Sequence, residues 1–505
     1  MRRMPGCLAG QIHETEFTRE EIEQAARGSL LLAMEIELGE GSRSGRRERR
    51  GTEGAAAGNE LSRAEVRDVI LQGRSLGARR ISLLCGEPAG CGHLAETIRF
   101  IGSQHLDVEL WSSGAGITPD LARELFENRV RVVLRMDSLD PNPQEMAAGV
   151  EGPPARVQQA LQRLREAGYP SREAVLGAAT VVGRHNLGEV PSLWRWLRDQ
   201  GIVPYLGLGG PQRSADEEGG APLDPAELRE LASRIAEMER GRSGEAWDPR
   251  LPLWRNGCMR HQFSCLVCWQ GDVMPCVGLE IPIGNIRERA LRDIIKDSEV
   301  LSDLRDHTHR IKGPCASCPD ADACYGCRGA AYRWTGDYLA SDPSCWRNAD
   351  RQDEIARLPF PAGELIPQKR PMRLIDELVR VGERSGEVSA TVSDDMPFVR
   401  GNGALDEIAL FEMMAQSVAA LNGFKRWGRP GSSSQGYLVG ARNLEILEPA
   451  RAGDTLHVSL QKEARFGNFG ILKGTVSRNG AVLARGEIKI WRQEGDAPQA
   501  ADPGD

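Results

Sequence analysis

The chain has 505 residues, 40% hydrophobic and 27% charged, which suits a globular protein of two to four domains and excludes wholesale disorder. Its 64 Lys and Arg against 72 Asp and Glu leave a formal charge of −8, a poor basis for binding nucleic acid. No apolar run reaches the roughly 18 residues of a membrane span, and the first ten residues lack the apolar core of a secretory signal, so a cytoplasmic protein without membrane association is expected.

Residues 1–240 alternate strand-like and helix-like segments. An apolar run at 30–38, broken by Glu35 and Glu37, precedes helical periodicity at 62–73 and a buried-strand pattern at 80–85. The alternation continues with helices at 94–102, 119–128, 155–167 and 190–200, and strands at 107–112, 131–136, 174–182 and 203–208. Six strands separated by helices predict βα units around a parallel sheet, open or closed into a barrel. Residues 39–58 and 212–222 carry no periodicity and read as loops. Residues 241–350 form a Cys-rich module and 351–362 a linker. A third domain follows at 363–493, with a long apolar helix at 408–424 and strands at 455–462, 470–478 and 482–491, an α+β pattern. Residues 494–505 read as a disordered tail.

Twelve cysteines are unevenly placed: Cys7, Cys85 and Cys91 come early, and nine lie from Cys258 to Cys345. The core of the cluster is Cys315-x2-Cys318-x5-Cys324-x2-Cys327 followed by Cys345, with Cys258, Cys265, Cys268 and Cys276 upstream. In a reducing compartment, paired thiols on turns with distant partners point to metal ligation rather than disulfides. Eight ligands would fill two four-thiolate sites, of iron–sulfur or structural zinc type.

With four residues between Gly271 and Cys276, and Gly284-Asn285-Ile286 beyond, this pattern resembles the SPASM domain, the auxiliary iron–sulfur module of many radical SAM enzymes. The resemblance implies two 4Fe–4S clusters. One would be held by Cys315, Cys318, Cys324 and Cys345, the other by Cys258, Cys265, Cys276 and Cys327, with Cys268 as an alternative to Cys265. The x2 spacing before Cys327 departs from the family's x3.

A SPASM module implies a radical SAM-type partial (β/α)6 barrel before it. Gly86-Glu87-Pro88 after the second strand resembles the family segment that holds the amino group of S-adenosylmethionine. Met136 to Asp140 and Val182 to Asn186 resemble the ends of its fourth and fifth strands. The defining Cys-x3-Cys-x2-Cys is missing: no cysteine occurs between Cys7 and Cys85. Guanidinium and hydroxyl groups cannot replace thiolates at iron. Either the chain has lost reductive cleavage of S-adenosylmethionine, or the frame encoding 39–58 is misread. Cys85 and Cys91, in another loop near His93, are expected to be partly buried or incidental, with a makeshift ligand set as the alternative.

The last domain resembles hot-dog-fold 3-hydroxyacyl-ACP dehydratases, through residues 365–376, Glu412-Met-Met-Ala-Gln416, 436–442 and 449–454. That implies a lyase of fatty acid or polyketide-type biosynthesis acting on acyl thioesters or acyl carrier protein, and a homodimer. Glu412 would be the acid that protonates the departing hydroxyl. Asn402 stands about where the basic histidine is expected, and asparagine is no base. Two functions are therefore expected to compete. One is an iron–sulfur oxidoreductase with a redox partner and a thioester-acting domain; the other is a metal-stabilised scaffold that binds thioesters or acyl carrier protein without turnover.

Overall fold

The computed structural model describes residues 17–39, 60–85, 91, 93–139, 153–208, 223–243, 258–322, 324–382, 384–427 and 436–492. The chain divides into two compact units. The first comprises Met1–Ile311, Cys315–Trp334 and Ser341–Asp350; the second comprises Lys312–Pro314, Thr335–Ala340 and Arg351–Asp505. Among the described residues no helix is long and apolar enough to cross a membrane.

The first unit runs α1 (Arg19–Gly28), β1 (Ala33–Glu37), α2 (Arg63–Ser75), β2 (Arg80–Leu84), α3 (Leu94–Ser103), β3 (Asp107–Ser112), α4 (Pro119–Glu127), β4 (Arg131–Arg135), α5 (Pro153–Ala167), β5 (Leu176–Val182), α6 (Val190–Asp199), β6 (Val203–Leu208) and α7 (Pro225–Ser243). All six strands are parallel, in the order β6-β5-β4-β3-β2-β1, a sheet open at β6. Helices on a parallel sheet bury its strands, which is why β1 to β5 read as apolar runs. Local signals set the helix starts: Ser62 accepts the Glu65 N–H, and Glu65 reaches back to the Ser62 N–H, a reciprocal cap of two otherwise orphaned donors.

One lateral row breaks the apolar rule. Glu35, Ser82, Glu109 and Arg131 are successive register partners across β1 to β4. Burial alone would raise the Glu109 carboxyl, but Arg80 and Arg131, with hydrogen bonds from Trp111 and Ser82, hold it down to about 2.

The cysteine-rich segment extends the same sheet. It contributes α8 (Arg260–Phe263), β7 (Leu266–Val267), β8 (Asp272–Met274), β9 (Gly284–Asn285), α9 (Leu291–Asp297), α10 (Glu299–Arg305), α11 (His307–Arg310) and α12 (Arg328–Thr335). Strand β7 pairs parallel to β1, and β8 and β9 follow antiparallel.

The second unit holds β10 (Phe360–Pro361), β11 (Glu377–Val381), β12 (Ser385–Thr391), α13 (Glu407–Arg426), β13 (Gly436–Ile446), β14 (Thr455–Phe466), β15 (Phe469–Arg478) and β16 (Ala481–Arg492). These form a seven-stranded antiparallel sheet in the order β10-β11-β12-β14-β15-β16-β13, against which α13 buries Leu410, Met413, Met414 and Val418. Two glycines admit the helix. A Cβ on Gly386 would lie 2.3 Å from Leu421, and one on Gly474 2.6 Å from Met414. This is the expected hot-dog arrangement, one helix held by one sheet.

Candidate functional sites

Cys258 lies just before α8, Cys276 just after β8, and Cys327 just before α12. Burial pushes the Cys276 thiol up to about 12, helped by Cys258, Glu35 and Cys327 nearby. Burial also lifts Cys327 to about 11, helped by Asp342 and Cys258, and raises Cys258 against the pull of Arg260. These three thiols are mutual electrostatic neighbours. Cys265 is pushed up to about 12 by burial and by Glu35, the carboxylate that also raises Cys258 and Cys276. Cys268 instead answers to burial, Asp272 and Glu37. Of the two alternatives, Cys265 is thus the one that shares a neighbour, Glu35, with Cys258 and Cys276.

A second set forms around the later cysteines. Burial lifts Cys345 to about 12, with Asp342, Cys315 and Cys324 adding; burial raises Cys324, with Cys315 contributing. Cys318 closes the adjoining turn, its N–H donating to the Cys315 carbonyl at 3.3 Å. Donors point at the sulfurs in both sets. The N–H groups of Gly326 and Ala330 reach Cys324 and Cys327 at 3.4 Å, and Asn348 Nδ2 reaches Cys315 at 3.3 Å. His261 Nε2 lies 3.3 Å from Cys276 Sγ. Burial pulls the His261 ring down to about 3, with Arg328 and Arg260 adding, so it is neutral.

Such donors stabilise sulfur that carries negative charge, and thiols held protonated by burial are the groups a cationic core would deprotonate on binding. Among the described residues no group of three or more His, Cys, Asp or Glu is placed to hold a single metal ion. A cluster interposes irons and sulfides between its thiolates and so accepts wider spacing. On these observations the residues fit an iron–sulfur core.

Backbone packing brings the distant thiols together. Gly329 lies two residues after Cys327 and Gly278 two after Cys276, and a Cβ on Gly329 would stand 2.3 Å from the Gly278 carbonyl oxygen. Asp342, fully buried, accepts the Cys327 N–H at 2.7 Å and the Ser344 N–H at 2.9 Å. One carboxylate thereby orders the turns carrying Cys327 and Cys345.

The front half carries less. Gly86, Glu87 and Pro88 lie outside the described residues, as does the loop from 40 to 59. The reading of Cys85 and Cys91 as incidental thiols or makeshift ligands is corrected: they form a disulfide, so neither sulfur is a thiolate. The ends of β4 and β5 are joined by side-chain hydrogen bonds. Buried Asn186 donates to the carbonyls of Asp137 and Val181, and Asp137 accepts the Val181 N–H.

In the second unit, Glu412 lies on α13, half-buried, and accepts from Gln416 Nε2 at 2.9 Å. Gln416 is buried and pinned by the Leu374 N–H and the Met372 carbonyl, each at 2.8 Å. Asn402 is exposed in a turn, where its side-chain oxygen caps the Ala404 N–H. His457, the sole histidine after His309, is exposed on β14. Sequence reasoning missed His261 and Asp342 because both act through contacts set by tertiary structure.

Comparison with known proteins agrees with both halves. Residues 258–319 match the SPASM model, an iron-sulfur cluster-binding domain, and residues 360–501 match the ApeP-like model, ApeP dehydratase. The chain is 27% identical over 316 residues to the AdoMet-dependent heme synthase of Methanosarcina barkeri, covering 57% of this chain and 87% of that protein. It is 29% identical over 331 residues to the PqqA peptide cyclase of Methylocella silvestris, covering 60% and 84%. Among solved structures, the dehydratase heterocomplex ApeI:P from Xenorhabdus doucetiae is similar at 26% identity and a TM-score of 0.25, over 27% of this chain and 92% of that one. The chain thus carries a SPASM domain and an ApeP-like dehydratase domain, and it is similar to radical SAM/SPASM proteins, whose cysteine triad it lacks.

Proposed function

We propose that the first unit is an oxidoreductase-type electron carrier with two 4Fe–4S clusters that does not cleave S-adenosylmethionine reductively. Cys258, Cys265, Cys276 and Cys327 would hold one cluster, and Cys315, Cys318, Cys324 and Cys345 the other. When bound, such clusters exchange single electrons with a redox partner. The observation that carries this reading is that Cys258, Cys276 and Cys327 neighbour one another, as do Cys315, Cys324 and Cys345, with N–H donors aimed at Cys315, Cys324 and Cys327. The sequence offers no thiol at 39–58 for a third, substrate-chelating cluster, and the Cys85–Cys91 disulfide supplies none.

Anaerobic purification is expected to give a brown protein with about eight irons and eight sulfides per chain, from two four-iron cores. Incubation with S-adenosylmethionine and dithionite is expected to yield no 5′-deoxyadenosine. Colourless, sulfide-free, zinc-containing protein would refute the clusters and leave a metal-stabilised scaffold. Formation of 5′-deoxyadenosine would refute the loss of radical initiation.

The hot-dog domain is read as a thioester- or acyl-carrier-binding module that has lost dehydratase turnover. Asn402 is engaged in its own turn and cannot act as a base, and His457 faces solvent. A recess of about 50 Å³ at the C-terminal end of α13 has an apolar wall of Val418, Leu421 and Leu460 and a basic rim of Arg384, Lys425 and Lys462. That rim suits an acidic carrier. Strand β13 ends the sheet order and exposes Tyr437, Leu438 and Val439. A long apolar edge strand invites pairing with another strand, which supports a homodimer through this domain. Wild type and Glu412→Gln are both expected to hydrate crotonyl thioester at the background rate while binding it. Wild-type turnover that Glu412→Gln abolishes would overturn this reading.

A further inference from the structure

The two sets of thiols are joined by hydrogen bonds through a pair of buried side chains. Tyr325 follows Cys324 directly in the chain and is 2% exposed. Its hydroxyl lies 3.0 Å from His261 Nδ1, and His261 Nε2 lies 3.3 Å from Cys276 Sγ. His261 is equally buried, and His307 packs its ring against the other ring neighbour of the pair, 5.1 Å from Tyr325 between centroids. A residue of one set is thus connected to a residue of the other by two hydrogen bonds and one peptide unit.

The proton positions follow from the chemistry. A sulfur bonded to iron carries no hydrogen and can only accept, so Nε2 must be the nitrogen that bears the proton. Nδ1 faces the Tyr325 hydroxyl at 3.0 Å, so Tyr325, His261 and Cys276 form one hydrogen-bonded chain that ends in donation to the sulfur. A donor to a cluster thiolate stabilises the more negative, reduced state and raises the reduction potential.

We propose that His261 and Tyr325 form a relay that sets the reduction potential of the Cys276 cluster and couples it to the segment holding Cys324. The relay rests on the iron–sulfur reading above. Both residues are positioning residues: they act through Cys276, and neither is an iron ligand.

The test is potentiometry of the full, iron-loaded chain followed by electron paramagnetic resonance. His261→Leu is expected to lower the midpoint of one cluster by about tenfold in its reduction equilibrium, which is about 59 mV for a one-electron couple. Tyr325→Phe, which keeps the ring and removes only the hydroxyl, is expected to lower the same midpoint by less, because His261 then loses the partner that orients Nε2 toward Cys276. Asn348→Leu, which removes the donor to Cys315, is expected to move the other cluster and spare this one. Unshifted midpoints in fully loaded His261→Leu and Tyr325→Phe would overturn the relay. So would a nitrogen ligand detected at the iron, which would make His261 a ligand. Should His261→Leu fail to take up iron, Tyr325→Phe decides alone. Iron-free wild type would refute the cluster reading itself, an outcome distinct from loaded protein with unmoved potentials.

Discussion

Alanine at position 329 is expected to empty the cluster site at Cys258, Cys276 and Cys327 while leaving the other loaded, so that iron falls from about eight to about four per chain. The added Cβ would meet the Gly278 carbonyl oxygen at 2.3 Å and its carbon at 2.6 Å. No side-chain rotation relieves a clash with backbone. The Gly278 carbonyl is also held by Arg333 Nη1 at 3.2 Å, so the segment is tied where the methyl group must go. One of the two backbones has to retreat. Each glycine lies two residues from a thiol of the same set, so the retreat pulls Cys276 and Cys327 apart. Overpacking commonly costs about 1–3 kcal/mol, enough to distort a ligand set without unfolding the chain. Gly241→Ala, on a helix where nothing lies within 4 Å of the new methyl, is the control and should keep its iron. Colorimetric iron and sulfide assays decide the outcome. Full loading of the Gly329→Ala chain would mean that this close approach does not set the cluster geometry.

The features legible in the sequence are those carried by local pattern. Strands β1 to β5 are largely buried on both faces and announce themselves as apolar runs, and the Ser62–Glu65 cap is written in four consecutive residues. The cysteine spacing exposes the ligand candidates because thiols on one turn are close in sequence as well as in space. Helix α7 escaped notice. Its buried residues, Leu231, Ala232, Ile235 and Ala236, include two alanines, so its apolar stripe is faint. Its docking depends on buried Glu239, which accepts from Trp194 and Arg198 of α6, contacts that local pattern does not encode. The polar row of Glu35, Ser82, Glu109 and Arg131 exists only once strand register is set, since each residue alone reads as an exception within its strand. His261 meets Tyr325 across 64 residues, and the Cys85–Cys91 bridge requires a loop that returns its ends to a Cα separation of 6.7 Å. In the hot-dog domain, the exposed turn that occupies Asn402 is likewise a matter of three-dimensional packing rather than of residue type.

Replacing Lys312 with methionine is expected to destabilise the second unit by about 3–5 kcal/mol, the usual effect of removing one partner from a buried ion pair. Lys312 and Asp337 are 3% and 4% exposed and form a salt bridge. The ammonium also donates to the Phe424 carbonyl at 2.8 Å, in the last turn of α13, and sits 4.3 Å from the centre of the Phe424 ring. It therefore neutralises a buried carboxylate and satisfies a helix-end carbonyl that has few intrahelical partners. Methionine fills a similar volume but does neither. Because the chain has two units, a global melting curve would blur the effect; hydrogen exchange of peptides from α13 reads it locally. Protection there should fall by about two to three and a half orders of magnitude, at about 1.4 kcal/mol per tenfold. Adding Asp337→Asn should restore most of it. The amide keeps the oxygen that accepts the Leu339 N–H at 3.0 Å while removing the stranded charge. If the double variant is no more protected than Lys312→Met alone, the loss stems from the helix-end carbonyl and the ring contact, and the buried charge is not what makes the lysine necessary.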